Sequence, residues 1–411
     1  MTTFEDTQGE TLTPLTEEAD LIAGLESTGA ATVTELGTST DGRFPIRLVK
    51  TTGAPAGAPR VLFIGMQHGN EPVGRESVLS LMRDLAQNTG LGASGLTDRV
   101  EFFFIPTANP GSFPSYRDVR PIGLNINREH LNLGVLEAQY IQQAITDIQP
   151  DLIIDCHEHF STLESRLRAE MLPGSHPSSP ARINEASDNL MAYVQNHLDD
   201  EAIPHGLYSP ASVNPYTLRG MASIRGAAFL LVETPALNNT IPRWRRYQWY
   251  HEIMVSVTEW ISDYLPGEAT AIRLARSQIA GQVTPLDLGA AVVVRPEAYL
   301  LDHVPEHLDI FGIEYEVDDG ITRVPLAQES APLIVHLFDV DSPEPVVVGI
   351  RVERTNPEPA PPQVPLPTTP LLGYRVHVDG LTRDVIGIRA RIDGRVRDVL
   401  MPSGQQVEEE S

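Results

Sequence analysis

Four short apolar runs, each stopping at polar residues, constrain this chain more than any other feature. Val61-Leu62-Phe63-Ile64-Gly65 leads to His68-Gly69-Asn70-Glu71, and Val100-Glu101-Phe102-Phe103-Phe104-Ile105 leads to Asn109-Pro110-Gly111. Asp151-Leu152-Ile153-Ile154-Asp155-Cys156 ends at His157, and Ala228-Phe229-Leu230-Leu231-Val232 ends at Glu233-Thr234. Runs of this length, apolar on both alternating faces, are strands buried on two sides, the condition of a parallel sheet covered by helices. Helical spacing over Glu76–Gln87 and Glu137–Ile148, and an aromatic-led stretch from Trp244 to about Tyr264, supply the covering layers. The expected fold class is α/β: an open, mixed, mostly parallel sheet with helices on both faces. Such sheets build their sites at the C-terminal edge of the strands, where all four polar groups fall.

The polar groups have a common chemistry. His68 and Glu71 offer an imidazole and a carboxylate three residues apart, a mixture that zinc accepts when a third ligand comes from elsewhere. A lone His-x-x-Glu arises by chance in any long chain, so the weight rests on the set. His157 and its neighbour His159 both qualify as the third ligand; the strand ends at His157, which is favoured. Glu233 suits a general base, or an acid against the helix dipole before Thr234-Pro235. Arg117, Arg120 and Asn125-Ile126-Asn127-Arg128 add planar cationic forks that match a carboxylate.

Taken in order, His-x-x-Glu, Asn-Pro, Arg, Asn-Arg, His and Glu resemble the zinc metallocarboxypeptidases of the carboxypeptidase A type. The resemblance covers roughly residues 15–265, including the lead-in Leu36-Gly37-Thr38-Ser39-Thr40-Asp41-Gly42-Arg43. It implies a carboxypeptidase-like fold and one Zn2+ ion held by His68, Glu71 and His157. It further implies Glu233 as the base that activates a zinc-bound water, with Arg120 polarising the scissile carbonyl. Asn127 and Arg128 would grip the substrate's terminal carboxylate. Arg117 remains a rival for the oxyanion role. Tyr216 is the best counterpart of a mobile tyrosine found in many relatives, or else a packing residue after Pro215. Arg219 and Arg225 lie on the same approach to Glu233. Asn125 departs from the family, which usually places Asp there, and the stretch from Arg128 to His157 is short.

His68-Gly69-Asn70-Glu71-Pro72 and the Arg120 to Arg128 spacing also resemble the related succinylglutamate desuccinylase and aspartoacylase branch. The favoured activity is hydrolysis of the amide bond next to a free C-terminal carboxylate. The alternatives are an N-acyl amino acid amidohydrolase and a non-catalytic assembly or binding module. The substrate expected is a peptide or N-acyl amino acid with a free carboxylate. No aspartate lies between Pro210 and Arg225, and Leu218 and Met221 favour neutral or apolar side chains at the cleaved end.

Charge and composition bound the rest. A net charge of −25 over 411 residues repels nucleic acid and anionic membranes, so neither is expected as a partner. Lys50 is the sole lysine and Cys156 the sole cysteine, so no intrachain disulfide forms. The start, Met1-Thr2-Thr3-Phe4-Glu5-Asp6, lacks the marks of a signal peptide, and no apolar window spans a bilayer. The expected location is cytoplasmic, with a virion-borne protein as the alternative.

The expected organisation is a flexible 1–15, a catalytic domain over 16–268 and a β-rich accessory module over 269–354. A Pro-rich linker over 355–370, a small β segment over 371–404 and a disordered tail over 405–411 follow. Asp393-Gly394 suits a hairpin turn, and the C-terminal strands are expected to serve homo-oligomer formation or docking.

Overall fold

In the computed structural model the apolar runs become the strands of one twisted sheet. The structure describes residues 1–411 except 93–94, 114–120, 160–166, 210–213, 237–240, 282–285, 288–291, 294–295, 344, 354–371, 379–380, 393–394 and 403–411. Its strands are β1 (Ala31–Thr38), β2 (Pro45–Thr51), β3 (Arg60–Gly65), β4 (Glu101–Ile105), β5 (Leu152–His159), β6 (Ala169–Pro173), β7 (His205–Leu207) and β8 (Ala228–Pro235). They lie in the order β1-β2-β4-β3-β5-β8-β6-β7. The central four, β4-β3-β5-β8, are parallel, while β2 joins β4 and β6 joins β8 in antiparallel fashion. The four runs singled out above are those central strands, so their polar ends meet at one edge.

Alternation along these strands divides the core in two. Phe63, Phe104, Ile154, Cys156, Leu230 and Val232 face one cluster, and Leu62, Ile64, Ile105, Ile153, Phe229 and Leu231 face another. Helices α1 (Thr3–Asp6), α2 (Leu15–Ser27), α3 (Pro72–Gln87), α4 (Leu136–Ile148), α5 (Ala181–Asp200), α6 (Leu218–Ile224) and α7 (Arg243–Asp263) surround the sheet. Side chains from α2, α3, α5 and α7 fill the first cluster, and those from α4 and α6 fill the second. The fold class expected from sequence is the one observed. Gly74 on α3 is required by this packing, because a Cβ there would lie 2.9 Å from the Cys156 carbonyl oxygen.

The N-terminal arm differs from the flexible segment its composition suggested. Phe4 is fully buried, and Thr2 and Glu5 form a capping box at the start of α1. Glu5 pairs with Arg83 at 2.5 Å and accepts from the Tyr247 hydroxyl at 2.9 Å. Just beyond, Arg75 sits with no exposed surface, held by Glu18 at 2.5 Å, Glu76 at 2.8 Å and the Thr13 carbonyl at 2.9 Å. Such a charge tolerates burial only because these acceptors surround it.

Beyond α7 the chain is more helical than its sequence suggested. Pro266 begins α8 (Leu265–Gln278) instead of ending the helical part, since a first-turn proline has no amide hydrogen bond to lose. Helices α9 (Glu306–Ile310) and α10 (Ala331–Phe338) accompany an antiparallel sheet of Glu316–Asp318, Ile321–Pro325, Ala298–Leu301 and Ile350–Val352. Its core, with Tyr299, Val324 and Phe338, is continuous with Leu131, Leu133, Met221 and Ile224.

The chain divides into two compact units, Met1–Glu353 and Arg354–Ser411. The second holds three antiparallel strands, Leu372–Val378, Leu381–Ile392 and Arg395–Pro402. Ile392 pairs with Arg395, bracketing residues 393–394. Those two, the Pro-rich linker and the acidic tail lie outside the described residues. Among the described residues, no helix is long and apolar enough to cross a membrane.

Candidate metal centre

Strand β3 ends at Gly65, and the chain turns sharply through Met66, which holds a left-handed φ of 51° while fully buried. The turn leaves Gln67 fully buried and His68 partly exposed at the strand's end. Gly69 then passes so close to Ser112 that a Cβ would lie 2.2 Å from the serine Cβ. Glu71 stands at the N-cap position of α3, with Pro72 opening the helix. On β5, Asp155 and His157 share one face by alternation, and His157 pairs in parallel register with Glu233 on β8.

The ligand atoms of His68, Glu71 and His157 all lie within 4.8 Å of one another. Glu71 Oε1 is 2.9 Å from His68 Nδ1, and Oε2 is 2.8 Å from His157 Nδ1. Each imidazole is held from behind. His68 Nε2 lies 2.9 Å from Asn125 Oδ1, whose orientation is fixed because it also accepts from the Asn127 amide at 2.9 Å. His157 Nε2 lies 3.0 Å from Asp155 Oδ2. Both rings therefore present Nε2–H to the oxygen behind them and turn Nδ1 towards the Glu71 carboxylate. Positive charge must lie between these atoms, either as a second ring hydrogen on Nδ1 or as a bound cation. Two imidazoles and a carboxylate, backed by an amide and a second carboxylate, are a donor set that fits zinc.

The electrostatics carry the same demand. Burial pushes Glu71 up, but His68 and His157 outweigh it and hold the carboxyl well below its ordinary range. Burial lowers His157, but Asp155 and Glu71 outweigh it and push the ring strongly towards its charged form. Glu233 is pushed well up by burial, with Glu71, Asp155 and Glu158 adding to the push and His157 opposing it. Glu158, next to His157, is raised to about 7, by burial first and against the pull of its partner Arg246.

A cavity of about 150 Å³ opens over this centre, lined by His68, His157, Glu233, Asn127, Arg128 and Arg219 among others. Asn127 accepts from the Leu218 amide at 2.9 Å, tying the short helical turn Ile126–Arg128 to α6. Arg128 is exposed at the mouth, and Arg219 is buried with its Nε donating to the Pro173 carbonyl at 2.7 Å. The structure thus brings His68, Glu71, His157, Glu233, Asn127 and Arg128 together. His159 also lines the cavity, but its Nε2 faces the Arg168 carbonyl at 3.3 Å. Tyr216 is packed against the core that holds Tyr299, Val324 and Phe338, whereas Tyr208 lines the cavity. Arg225 lies away from the cavity, bound to Gln142 and Thr146. Arg117 and Arg120 fall outside the described residues. Asn125, singled out as a departure, bears on His68. Asp155 was missed as a partner of the centre, although its place two residues before His157 puts both on one strand face.

A sheet of this topology, with two imidazoles and a carboxylate converging at its C-terminal edge, defines a carboxypeptidase-like α/β protein with a metal-type centre. Residues 21–111 match the zinc carboxypeptidase family (Peptidase_M14). Carboxypeptidase 2 of Trichophyton rubrum is 29% identical over 126 residues, covering 29% of this chain and 23% of that protein. Carboxypeptidase 2 of Trichophyton tonsurans is 30% identical over 99 residues, covering 24% of this chain and 18% of that protein. The match therefore spans under a quarter of the length of these curated relatives. The solved metallo-carboxypeptidase of Burkholderia cenocepacia superposes with a TM-score of 0.50 at 20% identity, over 60% of this chain and 69% of that one. The resemblance to zinc metallocarboxypeptidases drawn from the sequence holds in the matched segment and in the fold.

Proposed function

We propose that this chain is a zinc metallocarboxypeptidase that hydrolyses the amide bond next to a free C-terminal carboxylate. The observation that carries the reading is the convergence of His68, Glu71 and His157 beside Glu233, within a segment and fold shared with zinc carboxypeptidases. His68, Glu71 and His157 would hold one Zn2+, which supplies a Lewis acid and makes a water acidic near neutral pH. Glu233 takes the proton of the attacking water and hands it to the leaving amine. Burial, joined by its carboxylate neighbours, favours the proton on it, and the positive charge of His157 opposes that push. Arg128, exposed at the mouth and reaching back to the Asn127 carbonyl, and Asn127 itself, which also lines the cavity, would receive the substrate carboxylate. Arg120 is assigned to the carbonyl oxygen, where one fixed donor is commonly worth about 3 kcal/mol of barrier. Substrates are peptides; a cytoplasmic location and self-association through the second unit complete the proposal.

The test measures zinc content and turnover of N-blocked dipeptides against N-acyl amino acids, with and without chelator. Dipeptide cleavage by a zinc-loaded chain, abolished by chelator, is the expected result. Glu233→Gln should keep its zinc and lose at least about a hundredfold in turnover. Cleavage of N-acyl amino acids alone would move the chain to the acylase branch. A chain that takes up no zinc would overturn the reading.

A further inference from the structure

Behind the metal centre runs a second set of contacts that the reaction itself does not use. Asp155, the carboxylate on His157 Nε2, accepts from Gln67 Nε2 at 2.9 Å through each of its oxygens. Gln67 Oε1 lies 2.9 Å from His130 Nε2, and His130 Nδ1 lies 3.0 Å from Gln142 Nε2. Gln142 Oε1 in turn accepts from Arg225 Nη1 at 2.9 Å. Gln67, His130 and Gln142 have no exposed surface at all. No solvent is at hand to replace any of these bonds.

The two ends of this series fix its direction independently. An ionised carboxylate only accepts, so Gln67 must turn its amide nitrogen to Asp155 and its oxygen to His130. A guanidinium only donates, so Gln142 must turn its oxygen to Arg225 and its nitrogen to His130. Both requirements put the single hydrogen of a neutral His130 on Nε2. Burial keeps that ring neutral, pushing it down to about 3.

We propose that Gln67, His130, Gln142 and Arg225 are positioning residues, a one-way file of hydrogen bonds that holds Asp155 against His157 and so keeps the His157 Nδ1 lone pair on the metal. The proposal rests on the metal reading above. The file begins at Arg225, which also reaches Thr146 at 2.6 Å and the Phe311 carbonyl at 3.4 Å, so its far end is anchored on α4 and just past α9.

Gln142→Glu tests it by reversing the direction without changing the shape. A carboxylate at 142 gains an ion pair with Arg225 but cannot donate to His130. At pH 8.5 a neutral His130 must then place its hydrogen on Nδ1, Gln67 must turn over, and its oxygen meets the Asp155 carboxylate, acceptor against acceptor. Gln142→Met removes the link without reversing it.

The zinc dissociation constant of each chain is measured at pH 8.5 by competition with a chelating dye, alongside the thermal midpoint of the metal-free protein. The expected result is zinc binding at least about tenfold weaker in Gln142→Glu than in the native chain, the size typical of lost outer-shell support. Gln142→Met should fall between the two, while Gln142→Glu is the more heat-stable variant. Affinity that simply follows stability, with Gln142→Glu binding as well as Gln142→Met or better, would overturn the file. A native chain that binds no zinc would remove the metal reading itself, a separate result.

Discussion

At the scale of single residues, the centre is built by strand ends and refined by what stands behind them. His68, Glu71, His157 and Glu233 could be read from the sequence because each follows a run too apolar to be anything but a buried strand. Asp155 was legible in principle, from alternation with His157. Gln67, His130 and Gln142 were not, because an amide or a neutral ring is ordinary in isolation. Their partners lie 88, 63 and 12 positions away. Asn125 stands between these cases: its identity departs from the family pattern, but its contact with His68, 57 positions away, is a product of the fold. Asn125→Asp keeps the contact and the cap on Asn127 while adding charge behind His68. A charged partner raises the basicity of a ligating ring, so zinc should bind roughly tenfold tighter, read by chelator competition. Unchanged affinity would mean that Asn125 does not govern His68.

Elements were legible where the pattern had one meaning. The parallel strands, buried on both faces, and the amphipathic α3 and α4 could be placed within a few residues. Ala331–Phe338 could not, because every residue of that helix is buried, and a helix apolar all round shows no period. The N-terminal arm misled for the opposite reason: its polar residues are engaged, and its apolar anchors are few, chiefly Phe4 and Leu12. Glu5 makes the arm pH-sensitive. Burial raises this carboxyl, but hydrogen bonds from Arg83, Thr2 and Ser80 outweigh it and lower it from 4.5 to about 2. A carboxyl lowered on folding contributes stability above its unfolded value and loses it as pH falls through the folded one. The arm should therefore loosen between about pH 4.5 and 2, seen as falling protection of the amides around Phe4 relative to their intrinsic exchange rates, and Glu5→Gln should remove that fall. Protection that is flat across this range in the native chain would refute the assignment.

On the scale of the whole molecule, residues 1–353 form one unit in which the part after α8 shares a core with Leu131, Leu133, Met221 and Ile224 of the part before it. A composition change after Pro266 is visible in the sequence but the shared core is not, because its contacts join residues far apart along the chain. The match to the zinc carboxypeptidase family model begins at residue 21, and that boundary invites shortening the protein there. The cluster around Arg75 argues against it. Thr13 and Glu18 lie before the boundary, yet they surround a guanidinium with no exposed surface, one turn into the helix that Glu71 opens. Cutting at 21 would strand that cation in the interior, a loss on the order of 3–5 kcal/mol when one partner of a buried pair is removed. A version starting at residue 21 should therefore express poorly and bind zinc weakly, and Arg75→Met in that shortened version should restore both. The stretch that matches the family model is then not a stretch that can stand alone: residues ahead of it act as the footing of the site.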